Sequence, residues 1–125
     1  MTEKSASVIV FEPDRLQRDL IVLALRRNQL EPLICDDLSE ARKYLLERKP
    51  DLLLLDLYLP GQNGLDFIQE TQREGLLGNT KFIFISSIAF PEIIQKAIKM
   101  GAADFLVKPL NVELLVSRIQ RALSR

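Results

Sequence analysis

Four consecutive leucines, Leu52 to Leu55, are followed at once by Asp56 and then by Leu57-Tyr58-Leu59-Pro60-Gly61. A strand that is apolar at every position has no solvent face, so it belongs inside a sheet covered on both sides. The run therefore points to a central parallel strand and requires helices in two layers. Asp56 ends that strand. In open α/β sheets the ligand crevice lies outside the carboxyl ends of the strands. Taken alone, Asp56 fits an ordinary turn equally well, because Asp is a common turn residue.

The rest of the chain supplies the layers. Val8-Ile9-Val10-Phe11 is a β-branched run, followed by a helical stripe of Leu16, Leu20 and Leu23 with Ile21 and Ala24. Pro13 suits the first turn of that helix. Leu33-Ile34-Cys35 reads as a second strand, and Asp37 with Glu40 has capping-box spacing before a helix carrying Ala41, Leu45 and Leu46. Gly64 opens a third helix with Phe67 and Ile68, which stops near Gly75. Phe82-Ile83-Phe84-Ile85 is a fourth strand. Pro91 starts a helix with Ile94, Ala97 and Ile98, which Gly101 ends. Phe105-Leu106-Val107 is a fifth strand, and Leu114, Leu115, Ile119 and Ala122 stripe a fifth helix. Alternating strands and helices with short connections predict a parallel sheet with helices on both faces. Residues 1–125 read as a single domain, with no linker, repeat or second unit.

Bulk properties exclude several classes. Acids and bases balance at 17 each, so net charge offers no argument for nucleic-acid or membrane-surface binding. Cys35 is the only cysteine and there is no histidine, so a metal site would use oxygen ligands and favour Mg²⁺ or Mn²⁺ over zinc. The short polar start has no signal-peptide core, and no stretch is apolar enough to span a bilayer. Cytoplasmic residence is the expectation.

Polar residues recur where strands end. Strand one ends in Glu12, strand three in Asp56, strand four in Ser86 and strand five in Lys108. The sheet would gather two acids, a hydroxyl and an amine at one edge. Two carboxylates can hold a hard divalent cation, and a carboxylate can attack phosphorus to form an acyl phosphate. A lysine and a hydroxyl can each engage a phosphoryl oxygen. Phosphoryl transfer needs little beyond positioning and charge stabilisation.

With those residues in order, the sequence resembles the receiver domain of two-component response regulators, from Val8 to Leu123. The pieces that carry the likeness are Leu55 to Gly61 with Gly64, then Gly101-Ala102-Ala103-Asp104-Phe105, then Lys108-Pro109. The resemblance implies a doubly wound, five-stranded parallel sheet of order 2-1-3-4-5 with five helices, the flavodoxin-like receiver fold. It implies a phosphorelay switch in which Asp56 accepts phosphate from a sensor histidine kinase or phosphotransfer protein. Glu12, Asp56 and the backbone carbonyl of Tyr58 would hold Mg²⁺, while Ser86 and Lys108 would contact the phosphoryl group. Ser86 and Phe105 would form the switch, and Lys108-Pro109 would be cis. Partners would be a kinase, a downstream effector and a second copy through helix 4, strand 5 and helix 5, around Gln95, Lys99, Phe105 and Arg118. Direct nucleic-acid or membrane binding is not expected of this domain.

One departure stands out. The family usually ends strand one with two adjacent acids, and here those positions hold Phe11 and Glu12. Glu12 can reach the metal with a longer arm, but Phe11 cannot work through a metal-bound water. Asp14 lies past Pro13 and is not assigned as a substitute. Mg²⁺ binding is therefore expected to be weak, and a pseudo-receiver acting as a constitutive interaction module is the second reading. A stand-alone enzyme is not expected: an aspartyl-phosphate hydrolase would carry an acid where Tyr58 stands. A dinucleotide site is disfavoured because strand one runs into Glu12-Pro13-Asp14, without the glycines a pyrophosphate needs.

Overall fold

The computed structural model describes residues 5–124. Its sheet has five parallel strands: β1 (Ser7–Phe11), β2 (Glu31–Ile34), β3 (Leu52–Asp56), β4 (Lys81–Ser86) and β5 (Asp104–Val107), in the order β2-β1-β3-β4-β5. Five helices connect and follow them: α1 (Arg15–Arg27), α2 (Leu38–Arg48), α3 (Gly64–Arg73), α4 (Pro91–Lys99) and α5 (Val112–Leu123). The strand order and the helix count are those the resemblance implies. Among the described residues, no helix is long and apolar enough to cross a membrane.

β3 is the middle strand, and Leu52 to Leu55 are fully buried, as a strand with no solvent face must be. Its alternate side chains feed two cores. Leu53 and Leu55 join Ala41 and Leu45 of α2, Phe67 and Ile68 of α3, and Ala97 of α4. Leu52 and Leu54 join Ile21 and Leu25 of α1 and Leu115, Ile119 and Ala122 of α5. Register places Phe11 beside Leu55, and Asp56 beside Ile85, so the strands end level at their carboxyl edge.

Several local expectations are corrected. On α1 the buried stripe is Ile21, Val22, Ala24 and Leu25, while Leu16, Leu20 and Leu23 are exposed. Six leucine, isoleucine and valine positions nearly surround this helix, and packing against α5 selects which arc is inside. Leu46, Ile98 and Leu114 are likewise exposed although their helical neighbours Leu45, Ala97 and Leu115 are buried. Pro13 lies outside the first turn: Asp14 is the N-cap of α1, its carboxylate accepting from Leu16 N at 2.9 Å and Gln17 N at 3.3 Å. Strand β2 begins at Glu31 rather than Leu33, and Pro32 is tolerated because β2 is an edge strand. At α2 Asp37 accepts from Glu40 N at 2.8 Å, but Glu40 reaches back to Asp36 N at 3.1 Å, one residue short of a reciprocal box. The Pro60-Gly61 turn closes a small antiparallel ribbon, Tyr58–Leu59 with Gln62–Asn63, that periodicity did not reveal.

Candidate functional site

Each candidate side chain leaves the sheet at the same edge. Glu12 follows the last residue of β1, Asp56 ends β3, Ser86 ends β4 and Lys108 follows β5. Glu12 and Asp56 are 1% and 6% exposed, an unusual degree of burial for acids. Buried carboxylates need partners, since an isolated buried charge is strongly disfavoured. The shared partner here is Lys108. Its ammonium donates to Asp56 Oδ2 and lies 2.5 Å from Glu12 Oε1. The Glu12 contact is an ion pair without the direction of a hydrogen bond, which leaves Glu12 Oε1 buried with no well-aimed donor.

Backbone groups set the remaining oxygens. Asp56 Oδ1 accepts from Tyr58 N at 2.8 Å, and Glu12 Oε2 accepts from Asp14 N at 3.0 Å. Lys108 is placed by its own backbone, whose N–H donates to Ser86 O at 2.8 Å and extends the β4–β5 ladder past its last pair. The Lys108-Pro109 bond is cis, as expected. Ser86 is fully buried, with Oγ accepting from Ile88 N at 3.0 Å, while Ser87 is exposed. Strand alternation separates the two serines in this way.

Electrostatics follow from this packing. Burial pushes the Glu12 carboxyl above its ordinary value and the charge of Asp56 adds to the rise, against the opposing pull of Lys108 and of the Asp14 N–H. For Lys108, burial pulls the ammonium down, but its attraction to Asp56 and Glu12 outweighs it and leaves a raised pKa. The ammonium therefore stays charged between two acids. Tyr58 has an exposed side chain, and Phe105 is half-buried with its ring 6.4 Å from that of Phe84. Phe11 is buried in the apolar cluster with Leu55, Leu57 and Phe84, so it serves the core. The Asp14 carboxylate is engaged as a helix cap and does not join the acid pair.

Sequence reasoning missed how tightly the β3–α3 return is built. Gly64 N donates to Leu57 O at 2.6 Å, and a Cβ on Gly64 would stand 2.8 Å from Asp56 O. A glycine at the start of a helix, just after a polar cap at Asn63, was the available signal. The donor set suits a hard cation: both carboxylates converge, and one oxygen of Glu12 is buried without an aimed donor. Among the described residues, no group of three or more His, Cys, Asp or Glu side chains is gathered as a metal cluster.

Comparison with known proteins bears on the family and the fold. Residues 8–120 match the response regulator receiver domain. The phosphate regulon transcriptional regulatory protein PhoB of Escherichia coli K12 is 30% identical over 118 residues, which cover 94% of this chain and 52% of that protein. The chain thus spans about half the length of that curated relative. A response regulator from Thermotoga maritima has the same fold at TM-score 0.87 and 24% identity, covering 98% of this chain and all (100%) of that one. Chemotaxis protein CheY4 of Vibrio cholerae aligns at TM-score 0.87 and 24% identity over 96% of this chain and 100% of its own.

Proposed function

The chain belongs to the response regulator receiver domain family, and on that premise we propose that it is a phosphorylation-controlled switch with Asp56 as the phosphoacceptor. The observation that carries the reading is the convergence of Asp56, Glu12 and Lys108 at one sheet edge, with Ser86 ending the neighbouring strand. An Asp56 oxygen attacks phosphorus of a partner's phosphohistidine. The P–O bond forms as the P–N bond breaks, and the imidazole leaves and takes up a proton. Lys108 holds one developing negative oxygen, and Ser86 turns its hydroxyl to another. Glu12, Asp56 and the Tyr58 carbonyl would hold Mg²⁺, which when bound supplies charge neutralisation of the transferred group.

The added group brings roughly −1.5 to −2 charges and strong acceptors. Ser86 is drawn towards it, and the half-buried Phe105 on β5 turns into the space behind. The face that changes is α4–β5–α5, around Gln95, Lys99, Phe105 and Arg118. Its exposed Ile98, Val107 and Leu114 support a role in binding an effector or a second copy. A kinase or phosphotransfer protein supplies the phosphate, in the cytoplasm, and this domain performs no metabolic turnover of its own. The burial of Phe11 in the core supports a second reading, a pseudo-receiver acting as a constitutive interaction module with weak or absent Mg²⁺-dependent phosphorylation.

The test is intact-mass measurement of wild type and Asp56→Asn with acetyl phosphate and Mg²⁺, paired with amide NMR in beryllofluoride. Wild type should gain one phosphoryl group and Asp56→Asn none, with shifts reaching α4 and Phe105. Equal incorporation by both rejects Asp56 as the acceptor. Shifts confined to the loops around Asp56 favour the constitutive module.

A further inference from the structure

The outer face of α1 carries a pattern that neither the core nor the carboxyl edge of the sheet uses. Leu16, Leu20 and Leu23 are 70%, 39% and 48% exposed, and the exposed Arg27 follows on the same line. Steps of four, three and four residues set these side chains in one stripe along the helix, the spacing of a two-helix seam. The stripe lies outside the buried arc of Ile21, Val22, Ala24 and Leu25, so the domain's own packing leaves it uncovered. Two charges flank it on one side. Asp19 and Arg26 are both exposed and stand seven residues apart, at the same position of successive heptads. That spacing is about 10 Å along the axis, too far for them to pair within their own helix. Neither makes an ion pair among the described residues, whereas Arg18 of the same helix pairs with Asp36.

A second α1 laid antiparallel satisfies both patterns in one register. With Leu20 level with Leu23 of the second copy, Leu23 meets Leu20 of that copy, and Leu16 lies along the aliphatic stem of its Arg27. The same register sets Asp19 beside Arg26 of the second copy, because flanking positions of this kind face each other across an antiparallel seam. Two-fold symmetry makes the ion pair twice. A parallel pairing would instead stack Arg27 on Arg27 in the seam, with like charges opposed. We infer that α1 is a self-association face, through which two copies of this chain pair antiparallel by Leu16, Leu20 and Leu23, with Asp19 of each bridging to Arg26 of the other. An interface about a two-fold axis must be self-complementary, and this stripe is so in apolar contact and in charge. It lies on α1, apart from the α4–β5–α5 surface, and uses no residue of the acid and lysine cluster. The pairing therefore forms without phosphate. A helix of 13 residues offers fewer than two heptads, so the dimer is weak and responds to local concentration.

Sedimentation velocity of the unphosphorylated 125-residue chain, from about 10 μM to about 1 mM, tests this. The average mass of wild type should rise from monomer towards dimer across that range. Leu16→Asp and Leu20→Asp should each weaken association at least about tenfold, since each removes an apolar contact twice. Asp19→Arg and Arg26→Asp should each weaken it several-fold by opposing like charges, and the combined swap should return it to within about twofold of wild type. A merely structural effect on α1 would not be rescued by the second substitution. All four positions are exposed, and Leu16→Asp serves should Leu20→Asp fail to fold. A wild type that stays monomeric throughout overturns the inference. So does a dimer that ignores Leu16→Asp and Leu20→Asp but is lost in Ile98→Asp or Leu114→Asp, which assigns association to α4–β5–α5. Failure of the combined swap to rescue, with native amide spectra, overturns the antiparallel register. Each of these results leaves Asp56 standing as the phosphoacceptor.

Discussion

Gly64→Ala should loosen the site without touching any of its side chains. An added Cβ would meet Asp56 O at 2.8 Å, Leu57 O at 3.1 Å and Leu57 Cα at 3.2 Å. All three are backbone atoms of the segment that presents Asp56, so no side chain can swing aside. Forcing extra volume into such a place costs about 1–3 kcal/mol. Alanine's better helix propensity returns at most about 1 kcal/mol, and less at a first-turn position. A net loss of roughly 1–2 kcal/mol corresponds to a fall in Tm of roughly 3–10 °C for a domain of this size. The relief moves Asp56 by a few tenths of an ångström. A misplacement of about 1 Å can cost about a hundredfold in rate, so acetyl phosphate labelling should slow several-fold. Gly61→Ala is the matched control. Gly61 has φ +76° with nothing within 4 Å of its added Cβ. It should lose about 1–2 kcal/mol through backbone strain alone and leave the labelling rate unchanged. Thermal melts and timed intact-mass labelling read both quantities. A Gly64→Ala protein as stable and as fast as wild type would refute the claim that this close approach positions Asp56.

Two further outcomes follow from burial. Phe11→Asp should lose roughly 3–5 kcal/mol in urea unfolding because a large side chain leaves the core, yet Mg²⁺ should raise its Tm more than that of wild type, and Glu12→Ala should abolish that rise; equal Mg²⁺ shifts in all three proteins would sink this account of the strand-one departure. Burial, with the nearby Glu40, Asp37 and Asp36 charges adding, pushes the Cys35 thiol from 9.0 up to about 12. The stability from holding that thiol neutral is present below pH 9 and is lost as pH rises towards 12. Native protein at pH 8 should therefore resist iodoacetamide until denaturant is added, and rapid native labelling would contradict the burial.

The sequence alone determined the sheet's middle and its polar edge. Leu52 to Leu55 could satisfy four buried positions only inside a covered sheet, and the order of acids, hydroxyl and amine at strand ends followed from where each apolar run stopped. Periodicity could not say which leucines of α1 face inward, because apolar residues nearly encircle that helix and only its packing against β1 and α5 chooses the arc. Leu16, Leu20 and Leu23 therefore came out exposed. Strand-end position likewise brought Glu12, Asp56 and Lys108 to one edge but could not reveal how their atoms pair. That one ammonium spans both carboxylates, while backbone N–H groups take the other oxygens, depends on the level ending of β1, β3 and β5 and on the turns beyond them. The two contacts of the ammonium join residues far apart in the chain, whereas each backbone donor stands only two residues beyond its acid. Local patterning carries no information about where the ammonium goes, and only the assembled sheet brings Lys108 within bonding distance of both acids.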